Sequence, residues 1–121
     1  MSISVPSDKR VFLLTRSSFL GQQRYASHSW SGDVVSDWSV MRRQIAAGLN
    51  YSLCGIPYWN TDLGGFFAWK YNNTVDNIAY HELHTRWYQW GAFQPIMRSH
   101  NSGPVAVEIY QFGKKGDWAY D

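Results

Sequence analysis

The chain has 121 residues, enough for one domain around one core, and nothing in it suggests a second. Its net charge is only +2 and its Lys and Arg are scattered, so it lacks the electrostatic footprint of a nucleic-acid-binding surface. Aromatic residues make up 17%, with seven Trp and eight Tyr, an enrichment that suits stacking on sugar rings or a large ordinary core.

Residues 1–6 contain no long apolar segment, so neither a signal peptide nor a membrane span is expected, and the compartment stays open. The apolar run 10–15 reads as a strand buried on both faces, with Arg16 at its C-terminal end. Residues 17–26 read as a loop with one helical turn, leading to a very short strand over 27–30.

Next comes Trp30-Ser31-Gly32-Asp33. Gly32 lets the backbone turn sharply, so that the carboxylate after it can project into a cleft. A carboxyl group beside an indole and shielded from water has its charged form disfavoured, which suits it to donate a proton near neutral pH. The plainer alternative is that Asp33 or Ser36 caps the following helix.

Trp38, Met41, Ile45 and Leu49 recur at helical spacing and mark one face of a helix over about 37–47, which Gly48 or Asn50 would end. A second buried strand is expected over 51–57, running into the polar, glycine-rich loop Asn60-Thr61-Asp62-Leu63-Gly64-Gly65-Phe66. Cys54 lies in that strand, has no partner for a disulfide, and reads as a buried structural thiol.

A second helix is expected over about 76–91, with Asp76 as cap and Ala79, Leu83, Trp87 and Trp90 on its apolar face. His81 and His84 on this helix read as a solvated face, and no Cys or carboxylate set completes a metal site around them. Asn72-Asn73-Thr74 matches a glycosylation acceptor, read here as incidental. A further strand over 93–97 leads into Arg98-Ser99-His100, and a turn is expected at 113–116. Strand, polar loop and helix therefore alternate, which implies an α/β fold with a parallel sheet and functional loops at the strands' C-terminal ends. This order alone fits an open sheet or a closed barrel.

Four runs carry a family resemblance: Leu14-Thr15-Arg16-Ser17-Ser18-Phe19, Trp30-Ser31-Gly32-Asp33, Gly55-Ile56-Pro57-Tyr58-Trp59 through Gly64-Gly65-Phe66, and Arg86-Trp87 through Arg98-Ser99-His100. In content and order they resemble glycoside hydrolase family 31, with wording closest to its bacterial α-xylosidase and α-glucosidase members. The resemblance implies a (β/α)8 TIM barrel and retaining, exo-acting hydrolysis of a terminal α-xylosyl or α-glucosyl bond in an oligosaccharide, with no cofactor or metal. It assigns Asp33 as general acid/base, Arg16 and Trp30 to the wall of the sugar site, and Asp62, Phe66, Arg98 and His100 to the surroundings of the −1 sugar.

One departure stands beside these matches. Retaining chemistry needs two carboxyl groups about 5–5.5 Å apart. The family's nucleophile is an aspartate in a Lys-x-Asp-type motif at the end of an earlier strand, and no such motif precedes Arg16; Asp8-Lys9 has the reverse order and no strand before it. Residues 1–121 are accordingly expected to form about the C-terminal half of the barrel, inactive alone, with unpaired strand edges that invite aggregation or homo-oligomers. The alternative is a non-catalytic carbohydrate-binding protein, though such modules are usually antiparallel with period-two alternation. Another open-sheet enzyme would need a phosphate loop or nucleophile elbow, and Gly64-Gly65 fits neither.

Overall fold

The computed structural model describes residues 8–103 and 107–112. Three short strands, β1 (Leu13–Thr15), β2 (Ser27–Trp30) and β3 (Trp59–Asn60), form one parallel sheet in the order β1-β2-β3. Helix α1 (Trp38–Leu53) connects β2 to β3, and α2 (Ile78–Gly91) follows β3. Strand order equal to chain order, with a helical crossover between parallel neighbours, is how a (β/α) sheet winds in one direction.

The register pairs Leu14 with His28 and Trp30 with Asn60. Paired residues project to the same side of a sheet and alternate along each strand, so His28, Trp30 and Asn60 share one face. On it the His28 ring stacks on Phe12 at 4.4 Å and lies 5.0 Å from Tyr58. Ser29 and Trp59 share the other face, and Tyr51 of α1 stacks on the Trp59 ring at 5.9 Å. The expected strand over 10–15 is shorter, because Val11 and Phe12 are exposed and only Leu13 onward pairs with β2.

Helix α1 begins where its sequence pattern starts, but neither Asp33 nor Ser36 caps it. Asp37 does, its carboxylate accepting from the Ser39 amide at 2.8 Å. Met41 is buried, whereas Trp38 and Leu49 of the expected apolar stripe are exposed.

The strand expected over 51–57 is instead the last turn of α1 and its exit. Ile56 N–H donates to Tyr51 carbonyl at 2.9 Å and Gly55 N–H to Ser52 carbonyl at 3.0 Å, the paired bonds of a Schellman stop. Gly55, at φ 75°, supplies the left-handed residue this stop requires. The run to Leu53 is thus helical, and only Ile56, beyond the stop, is buried: Leu53 is 86% exposed and Cys54 is exposed too, not a buried thiol.

Asn77, not Asp76, caps α2, accepting from the amides of Ala79 and Tyr80. The buried face is Tyr80, His81, Leu83, His84, Trp87 and Gly91, with Trp90 partly buried against it and Ala79 exposed. The two histidines expected in solvent are therefore inside. The His81 ring meets the Val75 carbonyl and the His84 ring stacks on Phe112 at 4.2 Å. Tyr80, Leu83 and Trp87 join Met41, Leu63, Ala68, Val107 and Phe112 in the main core, each large side chain contributing about 1.5–3 kcal/mol by burial.

No strand forms over 93–97. The amides of Phe93 and Gln94 donate back to Trp90 and Gly91, extending α2 as a turn, and Pro95 has no N–H to give a ladder. Parallel pairing resumes only as single bridges, Leu63 with Ser99 and Val35 with Phe67. The turn expected at 113–116 lies outside the described residues. No helix among the described residues is long and apolar enough to cross a membrane.

Candidate active site

Each strand delivers a polar side chain at its C-terminal end, as a parallel sheet requires if its loops are to meet on one rim. Arg16 directly follows β1, Asp33 stands three residues beyond β2, and Asp62 two beyond β3. Arg98 and His100 flank Ser99, which the bridge to Leu63 holds beside the Asp62 segment.

These side chains converge in two ion pairs around one indole. Arg16 pairs with Asp33, and the Arg98 guanidinium donates to Asp62 Oδ1 at 2.5 Å. The Arg16 and Arg98 guanidinium carbons lie 5.4 and 5.6 Å from the Trp30 ring centre, within cation–π range. The Phe66 ring lies 5.2 Å from that of His100. All seven residues singled out in the sequence thus belong to one rim, either in direct contact or within one bridged segment.

The two aspartates differ in environment. The Asp33 side chain is 28% exposed and reaches outward to Arg16, so the shielding expected for it is not there. Gly32 before it has φ 73° and lies against the Arg16 side chain, which aims the carboxylate at that guanidinium. The shielded carboxyl is Asp62, fully buried, with Oδ2 making no hydrogen bond. Burial pushes its pKa up to about 6, helped by nearby Asp33 and opposed by Arg98, His100 and Arg16. Among the described residues no group of three His, Cys, Asp or Glu is placed to hold a metal ion.

Further residues hold this rim in place. Gln94 Oε1 accepts from the Thr61 amide at 3.2 Å, and the Ser31 and Thr61 hydroxyls lie 3.2 Å apart, tying the exit of β3 to the end of α2 and to β2. Gln22, buried, donates to Ser29 Oγ at 2.7 Å and braces β2 from the opposite face. Sequence patterning could not single these out, since isolated Gln, Ser and Thr are ordinarily surface residues. Placement of Gln94 beside Pro95, in a run already marked by the family resemblance, was the available signal.

Residues 3–120 match the model of the glycosyl hydrolases family 31 TIM-barrel domain. The chain belongs to glycoside hydrolase family 31. It is 54% identical over 96 residues to an α-xylosidase of Saccharolobus solfataricus, a stretch that is 79% of this chain and 13% of that protein. It is 40% identical over 111 residues to α-xylosidase A of Aspergillus niger, covering 88% of this chain and 15% of the relative. Among solved structures, the family 31 α-xylosidase of Xanthomonas citri superposes with a TM-score of 0.83 at 44% identity, over 94% of this chain and 13% of the other. The chain thus spans about an eighth of the length of the relatives it matches. Within family 31 its parallel sheet and flanking helices are a segment of the TIM barrel.

Proposed function

We propose that this chain is the part of a family 31 catalytic barrel, about its C-terminal half, that carries the general acid/base and most of the −1 sugar site of a retaining, exo-acting α-glycosidase. The observation that carries the reading is the convergence of Asp33, Asp62 and two arginines on the Trp30 ring at the C-terminal rim of a parallel sheet.

In this reading Asp33 protonates the leaving glycosidic oxygen and then removes a proton from the water that opens the glycosyl-enzyme intermediate. Arg16 holds Asp33 in position and is free to exchange that contact for substrate. His100 hydrogen-bonds a sugar hydroxyl, Asp62 does so once substrate draws Arg98 off its buried carboxylate, and Trp30 and Phe66 wall the ring. The nucleophilic carboxylate is not among the matched motifs of this chain, so turnover requires the barrel segments that its relatives carry outside the matched region. Sugar identity rests on the relatives: the S. solfataricus protein, 54% identical, and the A. niger protein, 40% identical, are both α-xylosidases. The non-catalytic reading loses ground because the sheet is parallel, with its charged pairs gathered at a strand-end rim.

The test is hydrolysis of p-nitrophenyl α-xyloside and α-glucoside by the chain alone and by the chain completed to the length of its relatives. Turnover by the completed protein alone supports the proposal. Turnover by the 121-residue chain alone, or by neither, contradicts it.

A further inference from the structure

The turn that joins Asp62 to Phe66 lies flat on helix α2, with nothing between them. Gly65 N–H donates to the Asp62 carbonyl at 2.9 Å, closing a four-residue turn. Gly64 and Gly65 sit at φ 83° and 86°, and neither has room for a side chain. A Cβ on Gly64 would lie 2.3 Å from His84 Cδ2 and 3.2 Å from Tyr80 Oη, and one on Gly65 would lie 2.6 Å from Ser36. Tyr80 and His84 are one helical turn apart on α2 and both buried, with their rings edge to face at 5.7 Å. Phe112 and Tyr88 both stack on the His84 ring, at 4.2 and 4.4 Å, and so fix its plane.

We infer that Tyr80 and His84 are positioning residues that form the floor under the Gly64–Gly65 turn, setting the height of Asp62 and Phe66 in the sugar site. They touch neither sugar nor the reacting atoms. They act through the turn, whose one end carries the buried Asp62–Arg98 pair and whose other end carries Phe66 against His100. Gly64 lets the backbone settle onto those rings, Gly65 lets it close against Ser36, and Leu63 between Asp62 and Gly64 anchors the turn against Gly91. The consequence for sugar binding rests on the proposed function; the placement of Asp62 does not.

The test reads Asp62 directly, by carbon-13 carboxyl NMR titration of the 121-residue chain, with exposed Asp76, just ahead of α2, as internal reference. His84→Ala removes the floor and is expected to let water reach Asp62, lowering its midpoint by about one pH unit. His84→Phe keeps a flat ring and restores the midpoint, Tyr80→Phe gives a smaller shift in the direction of His84→Ala, and Asp76 stays put in all three. If His84→Ala does not fold, the Tyr80→Phe shift decides. An unmoved Asp62, a matching shift of Asp76, or His84→Phe behaving like His84→Ala overturns the inference. None of these outcomes depends on hydrolysis, so failure here is distinguishable from failure of the glycosidase reading.

Discussion

Asp62 is fully buried, and its ion-pair partner among the described residues is Arg98, which donates to it at 2.5 Å while remaining a quarter exposed itself. Removing one partner of such a pair leaves an uncompensated charge in a dry place, which costs more than the pair contributes. Arg98→Met is expected to destabilise the chain by about 3 kcal/mol at neutral pH and to raise the Asp62 midpoint further. Urea unfolding at pH 7 and pH 5 checks this: protonation removes the stranded charge, so the deficit shrinks at the lower pH.

Two buried titratable groups act oppositely on acid stability. The folded-state pKa of Asp62 is raised to about 6 from 3.8, so its contribution is fully present below pH 3.8 and is lost as pH rises through 6. Burial and the neighbouring His81 lower that of His84 from 6.5 to about 3, so its contribution is present above 6.5 and is lost as pH falls through 3. Between about pH 4 and 6 the two slopes oppose. Asp62→Asn therefore exposes a stability that rises with pH, by about 2 kcal/mol between pH 4.5 and 6, and His84→Phe exposes the reverse. Parallel curves for the two variants contradict this assignment.

Cys54 follows the last residue of α1 and is exposed, so its thiol is open to reagents in the folded chain. Ellman's reagent is expected to titrate it fully without denaturant. Cys54→Ser changes stability by less than about 0.5 kcal/mol, as for exposed positions generally. Protection until unfolding restores the buried-thiol reading.

Gly55→Ala places a side chain at φ 75° in the Schellman stop of α1 and is expected to cost about 1–2 kcal/mol. Gly21→Ala at φ 92° is the comparison outside an α-helix stop, since a Cβ at either position meets nothing within 4 Å and only backbone strain is added. The midpoints of denaturant unfolding compare the two, and a cost at Gly55 well below that at Gly21 contradicts the stop.

The residues gathered on this rim were easier to pick out than the elements that carry them. Arg16, Trp30, Asp33 and Asp62 stand in short polar motifs at the ends of β1, β2 and β3, and Arg98 and His100 in one that keeps its place although the strand expected before it does not form. The strand misread over 51–57 shows the limit: a six-residue apolar run suits a buried strand or a helix end equally, and the decision lay in Gly55, read as part of the run rather than its stop. His81 and His84 looked solvated because a polar residue type was weighed above its helical phase, which puts them with Tyr80, Leu83 and Trp87 on one buried face. The strand expected over 93–97 failed at Pro95, which cannot donate to a ladder. Asp33 was singled out by motif and argued to be shielded, yet the burial belongs to Asp62, because side-chain shielding depends on the turn over 62–66 packing against α2.

The most direct test of Asp33 as the proton donor compares leaving groups in the protein completed to the length of its relatives. For Asp33→Ala, kcat/KM is expected to fall by about 10²–10⁴ on an alkyl α-xyloside, whose departing oxygen needs a proton. On 2,4-dinitrophenyl α-xyloside, whose leaving group needs none, the first step is expected to lose less than about tenfold. An equal loss on both substrates, or no loss on the alkyl xyloside, contradicts the account.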